Sequence, residues 1–149
     1  MRKKITCLLI DEQKDSRNQF FLALDLLQIS KACICFDNPG QALSYAAMHQ
    51  WKPDYIFLRT NRPALDGKNN LGHLQRLPLL ADVPVIFYAK EFCPDDMTRM
   101  KYLGAADWLI KSSDLHALRD GLKLIFETVK MKQPARGKLM TAEDSAVLV

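Results

Sequence analysis

The sequence predicts an α/β fold, a parallel sheet with helices on both faces. Three observations predict it. Five short apolar runs alternate with segments of helical period along the chain. Those runs are apolar at nearly every residue, as strands buried on both faces are. The chain's 149 residues, 48% apolar and 26% charged, match one globular domain. Strand followed by helix, repeated, leads to a parallel sheet whose functional residues lie at the carboxyl ends of the strands.

The elements follow in order. Residues 4–10, KITCLLI, form a doubly buried strand that stops at Asp11-Glu12. Residues 15–28 carry Phe20, Phe21, Leu24 and Leu27 on one helical stripe. Residues 32–36, ACICF, are the second strand. Asn38-Pro39 then reads as an N-cap with proline in the first turn, opening a helix with Ala42, Leu43, Ala46 and Ala47. Trp51-Lys52-Pro53 closes it. DYIFL, residues 54–58, is the third strand. Asn61 to Gly67 reads as a turn because of Pro63 and Asp66-Gly67, with a short helix spaced by Leu71, Leu74 and Leu77 after it. Residues 83–88 are the fourth strand, with Pro84 near its start, where proline is tolerated. Pro94 opens a helix holding Met97 and Met100, and Gly104 ends it. Residues 107–110, DWLI, are the fifth strand. Ser112 or Ser113 is the expected cap of a last helix striped by Leu115, Leu118, Leu122, Ile125 and Val129. Residues 1–130 are thus expected to form the domain, and 131–149, without sustained period, a flexible C-terminal tail.

Composition excludes several functions. No apolar run reaches the ~18 residues of a membrane span. The basic start MRKKITCLLI is cut short by Asp11 and Glu12 and has no small-residue cleavage site, unlike a secretory signal. A cytoplasmic location is expected. The formal charge is +4, yet residues 5–129 hold fourteen basic and fifteen acidic residues. The excess sits at Arg2, Lys3 and Lys4 and in the tail at Lys130, Lys132, Arg136 and Lys138. Nucleic-acid binding through those termini is therefore an alternative, weakened by the absence of a tail aromatic to stack on bases. Cys7, Cys33, Cys35 and Cys93 form no CxxC pair and read as buried free thiols. Cys33 and Cys35, two apart, share one strand face. His49, His73 and His116 make no metal-ligand cluster. No GxGxxG, GxxxxGK[ST] or GxSxG occurs, so nucleotide-binding and nucleophile-elbow chemistry lack their motifs. No cofactor, metal or enzymatic activity is expected.

Four blocks in order carry a resemblance. They are LLI with Asp11-Glu12; Pro53 to Leu58 with Asn61 to Gly67; Val83-Pro84-Val85-Ile86; and Gly104 to Lys111. Over about residues 4–129 the chain resembles a response-regulator receiver domain of the single-domain, chemotaxis type. The resemblance implies a flavodoxin-like (βα)5 fold with strand order 2-1-3-4-5. It further implies helices one and five on one face and two, three and four on the other.

The resemblance also implies a phosphorylation pocket, and this sequence departs from it. The phosphoacceptor aspartate that ends strand three is replaced by Arg59. The strand-four hydroxyl is replaced by Ala89, and the small residue after it by Lys90. Asp11 and Glu12 keep the acidic pair, Lys111 keeps the lysine, and Ser112 stands where proline commonly follows. Acyl-phosphate formation needs a carboxylate nucleophile, and a guanidinium stays protonated. Asp11, Glu12, Arg59 and Lys111 sum to zero charge, whereas three carboxylates and a lysine would invite magnesium. Arg59 is expected to pair in bidentate fashion with the two carboxylates, and Lys111 to share one of them or turn outward. A weak anion site at Arg59, Lys90 and Lys111 is an alternative.

The expected function is a degenerate, pseudo-receiver signalling module acting through protein–protein contacts without phosphorylation. The resemblance places its contact face on helix four, strand five and helix five, at Lys90, Met97, Met100, Lys101, Tyr102, Trp108 and Arg119. Trp108 there is either a fixed packing residue or a binding anchor. The partner class is a histidine kinase or other signalling protein of bacterial two-component type, or a second copy on that face. An atypical receiver phosphorylated on Asp11, Glu12 or Asp54 is the alternative.

Overall fold

The structure, a computed structural model, describes residues 4–61 and 63–130, and of residues 63–68 the backbone only. The expected tail beyond 130 lies outside the described residues.

Five strands form one parallel sheet: β1 (Ile5–Ile10), β2 (Ser30–Phe36), β3 (Tyr55–Arg59), β4 (Val85–Ala89) and β5 (Asp107–Ile110). The helices are α1 (Lys14–Leu27), α2 (Pro39–His49), α3 (Pro63–Gln75), α4 (Pro94–Leu103) and α5 (Leu115–Thr128), with a 3-10 turn at Pro78–Leu80. The strand order is β2-β1-β3-β4-β5, as expected. Alternation along each strand splits the core in two. Cys7, Leu9, Phe57, Ile86 and Tyr88 face α1 and α5, where Phe20, Leu24, Leu118 and Leu122 pack. Leu8, Ile10, Ile56, Leu58 and Phe87 face Ala42 and Ala46 of α2, Leu71 and Leu74 of α3, and Met100 of α4. This is why the strand runs read as continuously apolar.

Local chemistry sets the helix ends. Asn38 caps α2 by accepting from the Gln41 N–H at 3.0 Å, with Pro39 in the first turn. Gly104 ends α4 at φ 93°, a left-handed conformation that glycine adopts without strain. Gly121 lies where α5 crosses β5; a Cβ there would come within 2.8 Å of the Leu109 side chain. The helix-propensity cost of glycine, about 1 kcal/mol, is accepted for that close approach.

Three sequence expectations need correction. Helix α3 begins at Pro63, so the segment expected as a turn through Gly67 is helical. Proline is tolerated in a first helical turn, and Asp66-Gly67 only lowers propensity. Asp114, not Ser112 or Ser113, caps α5, accepting from the His116 N–H at 2.9 Å, while Ser112 Oγ accepts from the Asp114 N–H. Cys93 is exposed, not buried, because it is the N-cap of α4, tied to Asp96.

Candidate functional site

Parallel registry brings four strand ends to one rim. Ile10 lies opposite Leu58, Arg59 opposite Tyr88, and Ala89 opposite Ile110. Asp11, Arg59, Ala89 and Lys111 therefore line up across the sheet. Backbone bonds carry the ladder past the strands: Asp11 N–H to Phe36 O, Thr60 N–H to Tyr88 O, and Lys111 N–H to Ala89 O.

Asp11 is buried, 2% exposed. Its Oδ1 accepts from the Gln13 N–H at 2.9 Å and lies 3.6 Å from Arg59 Nε. The Arg59 side chain is 12% exposed, and its Nη2 donates to Asn61 Oδ1 at 2.9 Å. Arg59 thus points into the pocket, but its fork is divided between Asp11 and Asn61. The expected bidentate pair with both carboxylates does not form, because Gln13 already occupies Oδ1 and Glu12 faces solvent. Lys111 forms no ion pair with Asp11 or Glu12; its Nζ donates to Gln13 Oε1 at 3.5 Å, at the edge of the same rim. Gln13 is a site residue that sequence reasoning missed; an uncharged residue after an acidic pair carries no signal. Ala89 is buried with no side-chain polar atom, and Lys90 is exposed.

A cavity of about 210 Å³ opens here, lined by Asp11, Glu12, Asp37, Asn38, Arg59 and Asn70 among others. Arg17 ties its far wall together, donating to the Asp11 carbonyl and pairing with Asp37. Asp11, Glu12 and Asp37 are thus balanced by Arg17, Arg59 and Lys111. A magnesium ion needs several hard oxygens in octahedral array. Glu12 is exposed, and Arg59 sets a guanidinium beside Asp11. These residues do not fit a divalent cation. Among the described residues no group of three or more His, Cys, Asp or Glu side chains is placed to hold a metal.

Behind Asp11 lie three buried polar atoms without a full hydrogen bond: Asp11 Oδ2, Ser16 Oγ and Tyr88 Oη. Burial pushes the Tyr88 phenol up to about 12, and the nearby Ser16 hydroxyl and Arg59 charge pull the other way. Burial also pushes Cys33 up to about 12 and Cys35 to about 11. Each group holds its proton more tightly folded than unfolded, so its contribution to stability is whole below the unfolded value. That contribution is lost as pH climbs from about 9, where unfolded thiols ionise, towards about 12. The melting temperature, followed by circular dichroism under reducing conditions, is expected to fall steadily above about pH 9. A Cys33→Ala variant should fall less steeply, and a flat profile to pH 11 would contradict this.

The expected contact face is only partly assembled. Tyr102 is 89% exposed, Lys101 is exposed, and Met97 and Trp108 are half-buried against the α3–α4 core. Trp108 is therefore first a packing residue. Met100 is 1% exposed and belongs to the core, since the α4 stripe that made it visible in sequence is the buried stripe. Arg119 lies elsewhere, on the groove between α1 and α5 with Leu26, Leu27 and Lys123. Ile110, 54% exposed at the end of β5, was missed. An apolar strand residue reads as core, and only the sheet edge shows otherwise.

No protein-family model matches the sequence, and no curated protein matches it. Solved structures do match. The phosphorylated cyanobacterial phytochrome response regulator RcpA is 22% identical with a TM-score of 0.69, over 85% of this chain and 94% of its own. The Mn2+-bound form of response regulator Rcp1 is 22% identical with a TM-score of 0.68, over 87% and 99%. The chemotaxis response regulator CheY4 of Vibrio cholerae is 18% identical with a TM-score of 0.67, over 83% and 100%. The fold is that of a response-regulator receiver domain. At these identities the likeness reaches the receiver fold alone. In this receiver fold the rim residues are the ones described above. Among the described residues no helix is long and apolar enough to cross a membrane.

Proposed function

We propose that this chain is a degenerate receiver, a signalling module that binds a protein partner without being phosphorylated. One observation carries the reading: Arg59 ends β3 and reaches into the pocket, 3.6 Å from buried Asp11. RcpA is described as phosphorylated and Rcp1 as manganese-bound. Here a fixed cation occupies the ground that a metal and a phosphoryl group would share, and Ala89 offers no hydroxyl to respond. The pocket is held in one charge-balanced state.

Phosphorylation at another carboxylate finds little support in the geometry. Asp54 sits at the amino end of β3, where Oδ2 accepts from the Thr6 N–H at 2.8 Å and its own N–H bonds back to Thr6. It ties the amino ends of β1 and β3 together at the far end of the sheet. Asp11 is enclosed, and Glu12 faces solvent beside the Arg59 guanidinium's cavity. A nucleic-acid role would rest on termini that, apart from Lys4 and Lys130, lie outside the described residues.

The proposed contact surface is α4–β5–α5, with Tyr102 and Ile110 as its exposed apolar residues and Lys90 and Lys101 as its charges. A histidine kinase or another signalling protein is the proposed partner class. Tyr102→Ala is expected to weaken partner capture at least about tenfold, as loss of an interface aromatic does. Gln41→Ala on α2 should leave capture unchanged. Tyr102 is nearly free of internal packing, so melting temperatures should match. Equal capture by both variants would place the contact elsewhere.

A further inference from the structure

The chain changes layers where the described residues end. Helix α5 packs with α1 on one side of the sheet and stops at Thr128. Val129 is extended, at φ −96° and ψ 107°. Its N–H donates to the Ile125 carbonyl at 2.8 Å, and its own carbonyl accepts from Tyr55 Oη at 2.7 Å. Tyr55 begins β3, so the backbone is held at the amino ends of the strands. Val129 and Lys130 then form one edge of a cavity of about 280 Å³. Its apolar wall belongs to the other layer: Leu71 and Leu74 of α3, Leu80 of the 3-10 turn and Val85 at the start of β4. Gly104, at the end of α4, lines it as well.

We propose that residues 131–134 of this chain, MKQP, are the occupant of that cavity, with the Met131 side chain seated in it. Lys130 already lines the cavity, so the next residue needs no reach. In an extended segment, residues two apart lie on one side. Val129 is half-buried and Lys130 exposed, and continuing that alternation turns Met131 inward and Lys132 outward. Pro134 favours the extended backbone, because it disfavours the helical region for Gln133. An unbranched thioether chain fills an irregular apolar space well, and Met131 is the sole apolar residue between Lys130 and Pro134. The covalent link decides between occupants: it holds Met131 beside the cavity at an effective concentration that a free ligand or a second copy must exceed. The strap ties α5 to α3 and to the end of α4, and it carries the domain boundary from residue 130 to residue 134.

Thermal melting of the full chain tests the contact. Met131→Asp exchanges the apolar side chain for a carboxylate and is expected to lower the melting temperature by about 4 °C or more. Met131→Leu, a volume-conserving change, should fall by less than half as much. Lys132→Asp puts the same carboxylate on the outward side and should leave the melt unchanged. The seat itself is read by NMR on the full chain with methyl-labelled Met and Leu. The Met131 methyl, assigned by its loss in Met131→Leu, should show contacts to methyls of Leu71, Leu74 or Leu80. Its shift should stay constant from micromolar to submillimolar protein, as an intramolecular contact does. A Met131→Asp chain that melts like the unmodified one overturns the proposal, as does a Met131 methyl with no contact to those leucines. An equal fall for Lys132→Asp overturns it too, since the effect would then be one of charge. Contacts that grow in with concentration would give the cavity to the tail of a second copy and overturn it likewise.

Discussion

Arg59→Asp is expected to turn a magnesium-indifferent protein into one that magnesium stabilises. In metal-free buffer the variant loses the cation beside Asp11, a carboxylate that is 2% exposed and already has one oxygen without a hydrogen bond. Removing one partner of a buried pair and adding a third carboxylate should cost about 3 kcal/mol. That is a fall in melting temperature of about 6–12 °C for a domain of this size. Millimolar magnesium should restore most of it, because Asp11, Glu12 and the new carboxylate supply hard oxygens where the guanidinium stood. The unmodified protein should melt at the same temperature with and without the ion. The single variant should accept a phosphoryl group slowly and report nothing of it at Trp108, since Ala89 has no hydroxyl to draw inward. Arg59→Asp with Ala89→Thr should be needed for a donor-dependent change in fluorescence, read with Trp51→Phe to silence the other indole. Position 89 is 3% exposed, so overpacking by threonine can itself cost about 1–3 kcal/mol and must be read from the melt. A full fluorescence response in the single variant would remove the role assigned to Ala89.

Phe20→Ala should be the most damaging single change in the α1–α5 core. Phe20 is fully buried, with its ring 4.9 Å from Phe57 and 5.7 Å from Tyr88, both edge-on. It joins α1 to the two central strands just beneath the pocket. Truncation should cost about 3–5 kcal/mol, a loss visible in urea unfolding as a lower midpoint at unchanged slope. Leu22→Ala on the same helix, 56% exposed, should cost less than about 1 kcal/mol. Similar losses for both would show that α1 is not anchored through Phe20.

Some of this architecture was legible because the signals were local. Asn38-Pro39 states a helix start, Gly104 a helix end, and five doubly apolar runs a sheet covered on both sides. Helix α3 was misread where local and tertiary preferences disagree: Asp66-Gly67 favours a turn, and the packing of Leu71 and Leu74 against β3 and β4 holds the helix. At the site, the places of Arg59 and Ala89 at the carboxyl ends of the third and fourth strands could be read from the strand pattern alone. The division of the Arg59 fork between Asp11 and Asn61 could not, since it depends on the geometry of the rim and on Gln13 already bonding Asp11 Oδ1. The contact face was the least legible part. A helical stripe of methionines shows periodicity without showing which side is buried, so Met100 and Arg119 could be placed only once α4 and α5 were docked.

Intact-mass analysis of the unmodified protein, incubated with acetyl phosphate and magnesium, tests phosphorylation-independent function most directly. The Arg59→Asp, Ala89→Thr variant serves as the positive control in the same buffer. The unmodified chain is expected to keep its mass over the time in which the variant gains one phosphoryl group. Stoichiometric, hydroxylamine-labile phosphorylation of the unmodified chain, mapped to Asp11 or Glu12, would contradict the proposed function.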